Sequence, residues 1–142
     1  MNTSIKELHF SNQDGDIVLI ISINTDSYNN ISRIADAVVK IEQKGLLLTG
    51  DCMLDYWNLR QFKEDLDKLY RRELLSVRFD VSFEQSFVIE MFLGESGRIE
   101  NHITYEPFDR NYQIALRYYS DLSFIQSIAD QVDSILAFLP TT

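Results

Sequence analysis

Cysteine is almost missing from this chain, and long apolar runs are missing altogether. With Cys52 as the single cysteine, no internal disulfide can form, so a disulfide framework is excluded and a reducing compartment is expected. The longest apolar run, Ile17 to Ile21, falls far short of the ~20 residues that cross a bilayer as a helix. The first residues show no basic region ahead of an apolar core, and a cytoplasmic protein is expected. Glycine-rich phosphate loops, nucleophile elbows, Cys-x-x-Cys pairs and His-Glu-x-x-His motifs do not occur, and each would announce a specific chemistry. The expectation is a non-enzyme with no catalytic residue, no metal ligand and no cofactor.

Basic residues are also scarce: 13 stand against 22 acidic ones, for a net charge of -9. Phosphate recognition relies on clustered Lys and Arg, so neither nucleic acid nor an anionic membrane is an expected partner. The few cations are unevenly placed. Arg60, Lys63, Lys68, Arg71 and Arg72 fall close together, and none follows Arg117. This predicts a basic helix and, elsewhere, an acidic surface over the central strands and the C-terminal segment.

What is present is mostly alternation. From Leu75 to Phe83 every odd position is apolar and every even one polar, the period of a strand with one face buried. Phe87, Ile89, Met91 and Leu93 repeat the pattern, as do Ile99, Ile103 and Tyr105 with Asn101 as a polar intruder, and then Tyr112, Ile114, Leu116 and Tyr118. The links are short, at Glu84-Gln85, Gly94 to Gly97 and Pro107 to Asn111, so the strands form an antiparallel meander rather than parallel crossovers. Upstream, strands are predicted over Ile5 to Phe10, Ile17 to Asn24, Ile34 to Gln43 and Leu46 to Met53, with a polar turn at Asn12 to Asp16, a loop at Thr25 to Ser32 and a hairpin at Lys44-Gly45. Helical period takes over from Asp55 to Arg72, with Asp55 as N-cap and Leu59, Phe62, Leu66, Leu69 and Tyr70 on one face. A last helix is predicted after Ser120 as N-cap, with Ile125, Ile128, Val132 and Ile135 on its stripe and Pro140 ending it. The 142 residues thus read as one α+β domain: an antiparallel meander of about eight strands in all, packed with two amphipathic helices.

This order of parts resembles the WapI-type immunity proteins of bacterial polymorphic toxin systems. The residues that carry the resemblance are Leu46-Leu47-Leu48-Thr49-Gly50-Asp51-Cys52, the helix of form Leu-x-x-Phe-x-x-x-Leu-x-x-Leu from Leu59 to Leu69, the meander, and the closing Asp121-Leu122-Ser123-Phe124-Ile125 with its helix. The resemblance implies a small intracellular protein that binds and neutralises a cognate toxin domain.

Individual residues point the same way. Cys52 shares the buried parity of its strand and reads as a core thiol, and Asp51 and Asp55 read as turn and cap residues rather than paired catalytic carboxylates. Asp14 and Asp16 lack the glycine and distal glutamate of a calcium loop. Tyr56 and Trp57 read as packing residues. The outward parity of the meander is different, and reads either as a solvated face of mixed charge or as a protein-binding surface on which Phe92 and Tyr119 serve as aromatic anchors, Asp80, Glu90, Glu100 and Glu106 supply negative charge, and His102 lies among them. These seven are the expected partner-binding residues, and the expected partner is a basic cognate toxin met by a monomer or weak homodimer. The alternatives are a small-molecule site built on His102, Glu100 and Glu106, and an assembly subunit pairing through an edge strand.

Overall fold

The computed structural model describes residues 4–81, 86–106 and 112–139. Its strands are β1 (Ile5–Ser11), β2 (Ile17–Asn24), β3 (Ile34–Gln43), β4 (Leu46–Asp55), β5 (Ser76–Asp80), β6 (Phe87–Leu93), β7 (Arg98–Tyr105) and β8 (Ile114–Asp121). Helix α1 (Tyr56–Tyr70) follows β4, and α2 (Leu122–Leu136) follows β8. Every neighbouring pair is antiparallel and consecutive, but the strands divide into two sheets, β1-β2-β3-β4 and β5-β6-β7-β8. The chain is therefore one α+β unit written twice, four strands and a helix each time. The expected turns at Glu84-Gln85 and Pro107 to Asn111, and Pro140, lie outside the described residues.

The two units share their helix grammar. Each fourth strand ends on an aspartate that becomes the N-cap of the helix: Asp55 accepts from the Trp57 and Asn58 amides, and Asp121 from the Ser123 amide. The expected cap Ser120 is instead a buried strand residue whose Oγ accepts from Asn101 Nδ2 at 3.0 Å. That bond satisfies the polar intruder of β7, which would otherwise be costly inside an apolar core. From the two caps onward the buried positions coincide: Leu59 with Ile125, Phe62 with Ile128, Leu66 with Val132, Leu69 with Ile135.

These stripes meet each other and the sheets. Helix α1 packs on α2 and on β5, while α2 packs on α1 and back on β1, so each helix bridges to the sheet of the other unit. Polar side chains lock these crossings. Gln131 of α2 accepts from the His9 amide at 2.7 Å and donates to the His9 carbonyl at 3.2 Å, and Asn58 of α1 donates to the Asp80 carbonyl at 3.0 Å. These bonds reach one edge strand of each sheet, β1 at His9 and β5 at Asp80. On α1 Lys63 pairs with Asp67 at 2.7 Å, and just beyond the helix Arg71 pairs with Glu73 at 2.8 Å.

One core serves both sheets. Phe62 lies against Phe79 of β5, centroids 4.2 Å apart at 7°, and against Phe10 of β1 at 6.4 Å. All three rings are essentially fully buried. The sheets also touch directly where Gly50 of β4 faces Tyr105 of β7: a Cβ added at Gly50 would overlap the phenol ring, and the Tyr105 hydroxyl donates to the Asp51 carbonyl at 3.2 Å. Leu75, placed by parity on the buried face, is 73% exposed because β5 begins only at Ser76. The loop after β2 is well tied: Ser27 Oγ accepts from the Asp36 amide, and Asn29 Oδ1 accepts from the Ile31 and Ser32 amides.

Two substitutions test this account by urea unfolding. Phe62→Ala should cost about 3–5 kcal/mol, since it empties the position that three elements share. Gly50→Ala should cost about 1–3 kcal/mol by forcing Tyr105 aside, although its own side chain is a single methyl. A Gly50→Ala protein as stable as the parent would show that the sheets do not meet there.

Candidate protein-binding face

The helices cover one side of the second sheet, and its outward residues stand in cross-strand rows. One row is Ser76, Phe92, Glu100 and Tyr119; the next is Arg78, Glu90, His102 and Arg117; the third is Asp80, Val88, Thr104 and Ala115. Six of the seven expected partner-binding residues are thus gathered on one face. Glu106 lies beyond the end of β7, where its amide donates to the Ser86 carbonyl. It is six residues from Glu100, about 20 Å along an extended chain, and does not join the aromatic end.

The electrostatics of this face differ from an open acidic surface. Asp80 accepts from Arg78 at 3.1 Å, Glu90 lies 3.8 Å from the same guanidinium, and Glu100 lies 2.6 Å from His102 Nε2 and 3.7 Å from Arg117 Nε. Asp80, Glu90 and Glu100 thus each have a basic side chain of the same or the adjoining strand beside them. The hydrogen bond from His102 holds the Glu100 carboxyl below its ordinary value, helped by the nearby Arg117 charge. Exposed pairs of this kind contribute little to stability, but they set where charge is presented. At the aromatic end, Arg98 stacks its guanidinium 3.8 Å from the Tyr119 ring centroid, and Phe92 packs 5.0 Å from the His102 ring. Phe92, Glu100, Tyr119 and Arg98 line a shallow hollow of about 230 Å³.

The other singled-out residues resolve as follows. Cys52 is buried, and burial, with Asp51 adding to it, pushes its thiol up to about 12, which makes it a poor nucleophile. Asp14 and Asp16 donate their amides to Asn12 Oδ1 in a polar turn. Among the described residues no three His, Cys, Asp or Glu side chains gather as a metal site, and no helix is long and apolar enough to cross a membrane. Tyr56 is a packing residue as expected, whereas Trp57 is 52% exposed, with the Arg33 and Arg60 guanidinium groups 5.8 and 5.7 Å from its ring.

A second concave surface escaped the pattern-based reading. On the outward side of the first sheet, Ile5, Ser22, Asp36, Val38, Asp51 and Met53 line a groove of about 480 Å³. A signal existed: Val38 and Met53 are apolar at positions whose neighbours of the same parity, Asp36, Lys40, Thr49 and Asp51, are polar.

Comparison with protein-family models and with curated protein sequences finds no match. Among solved structures, the chain is similar to that titled "Crystal structures of trypanosoma bruciei MRP1/MRP2", with a TM-score of 0.50 over 94% of this chain and 84% of that one, at 8% identity. At that identity the likeness concerns the fold alone.

The His102–Glu100 contact makes a checkable claim about acid. Because the folded carboxyl sits below its unfolded value, its stabilising contribution is complete above about pH 4.5, the reference value for a glutamate, and is lost as pH falls through the lower folded value. Carbon-detected NMR titration should find a depressed Glu100 midpoint that moves back upward in His102→Ala. An unchanged midpoint in that variant would mean the 2.6 Å contact is not what holds Glu100.

Proposed function

We propose that this chain is an immunity protein, a non-enzymatic cytoplasmic binder that neutralises a cognate toxin domain by covering it. The observation that carries the reading is an uncovered four-stranded face on which Phe92 and Tyr119 share one cross-strand row with Glu100 between them. Two half-exposed aromatic rings beside a charge ladder have the make-up of an interface, with apolar anchors at one end and polar groups that fix orientation. On this reading His102 orients a carboxylate for a partner, being bonded to Glu100 at 2.6 Å. The layout of strands and helices that resembles WapI-type immunity proteins supports the same reading, as does a net charge of -9, which suits a basic partner. On this reading the protein works as a monomer or weak homodimer and takes neither nucleic acid nor membrane as partner.

The test is co-expression with the toxin encoded immediately upstream. Protection of the cell and co-purification of the two chains are expected, with Phe92→Ala and Tyr119→Ala each weakening binding about tenfold or more, as buried aromatic anchors do. Loss of both protection and co-purification in the parent protein would sink the proposal.

A further inference from the structure

The two outward sheet faces present their charges differently. On the second sheet Asp80, Glu90 and Glu100 each lie beside a cation of the same chain. In the groove on the first sheet, Asp36 and Asp51 have no cationic partner among the described residues. Both carboxylates are exposed, and no basic residue lines the groove. Lys40, one row further along β3 and diagonal to Asp51, forms an ion pair with neither acid. Register places them as diagonal neighbours: Val38 lies opposite Asp51, and Asp36 opposite Met53. Side chains so placed on one sheet face stand roughly 7 Å apart, close enough for one cation to meet both.

The rest of the lining is apolar. Ile5 and Val38 are among the exposed large hydrophobic residues of the chain, and Met53 is half-buried beside them. Apolar floor and paired carboxylates together match a long side chain with an aliphatic stem and a cationic head. Such a head would be desolvated only in part, because both acids remain at the surface, so its attraction to them is not cancelled by burial.

We infer that this groove seats a lysine or arginine side chain of a partner protein, its stem over Val38 and Met53 and its head between Asp36 and Asp51. The inference rests on the reading of the chain as a binder of a basic protein, and it adds a second contact surface to the aromatic row of the other sheet. A partner that touched both would be gripped at two separate faces, which raises specificity as well as affinity.

The first measurement needs no toxin. The full chain, labelled with nitrogen-15, is titrated with acetyl-Leu-Lys-Leu-Lys-Leu-amide and, separately, with the same peptide carrying Glu for Lys. Saturable shifts of the Asp36, Val38, Asp51 and Met53 amides are expected with the lysine peptide only. They should weaken as salt is raised and fall about tenfold or more in affinity in Asp36→Asn/Asp51→Asn, whose remaining spectrum should report an intact fold. Equal response to the glutamate peptide, an unaltered affinity in the double variant, or shifts confined to the Phe92 and Tyr119 face would overturn the inference. So would self-association, seen by sedimentation, that is lost in the double variant, since the groove would then belong to a second copy. If the toxin co-purifies equally well with the double variant, the groove is wrong and the immunity reading stands; if the peptide binds but no toxin does, the reverse holds.

Discussion

The phenyl ring of Phe62 projects from α1 between Phe79 of the second sheet and Phe10 of the first. A buried aromatic ring contributes through its large contact area, and ring against ring adds geometric preference to that burial. Here the consequence is architectural. Each sheet must turn its apolar side toward α1 and α2 to share this core, and each is left with its other side outward. The direct contact at Gly50 and Tyr105 depends on the same convergence, because only a residue without a side chain lets the phenol approach β4 so closely. Function has to be sought on the outward faces because the inward ones are fully used by packing.

Those two faces offer different physics to a visitor. On β5 to β8 one row runs Arg78, Glu90, His102, Arg117, with the Glu90 carboxylate beside Arg78 and Glu100 bonded to His102. A ladder already satisfied internally presents oriented dipoles and aromatic edges more than net charge, and a partner must match its pattern. On β1 to β4 the acids of the groove are unanswered and their surroundings apolar. There a single cation gains both attraction and contact for its stem. A net charge of -9 says nothing about this division, since it counts paired and unpaired acids alike. It is the pairing, set by register, that decides which acids remain available.

The repetition of four strands and a helix explains why so little of the molecule needs special chemistry. Asp55 and Asp121 end their strands and begin their helices in the same way, and the buried positions behind them run in step. Each helix then crosses to the other unit, so neither unit has a complete core alone: β1 needs α2, and β5 needs α1. Gln131 clamping both backbone groups of His9 is the polar expression of that dependence. The similarity in fold to the solved MRP1/MRP2 structure extends over 94% of this chain, so it takes in both repeats of four strands and a helix.

By itself the sequence determined the eight strands, the two helices, Asp55 as a cap and the parity of the outward residues, because each depends on neighbours within a few positions and on a period of 2 or 3.6. Cys52 was legible as a core thiol for the same local reason. Ser120 is a strand residue and not the cap because the neighbour that uses its hydroxyl, Asn101, is distant in sequence, and Trp57 packs edge-on against Tyr56 yet stays half in solvent because exposure depends on what packs from elsewhere. Only the tertiary structure decided that the strands divide into two sheets, that Phe62 joins them, that Glu100 is bonded to His102, and that Asp36 and Asp51 share a groove. A repeating pattern shows which side of a strand meets the core, but the neighbouring strand is set by register and by the surface each helix must cover, and these are long-range choices that no local period records.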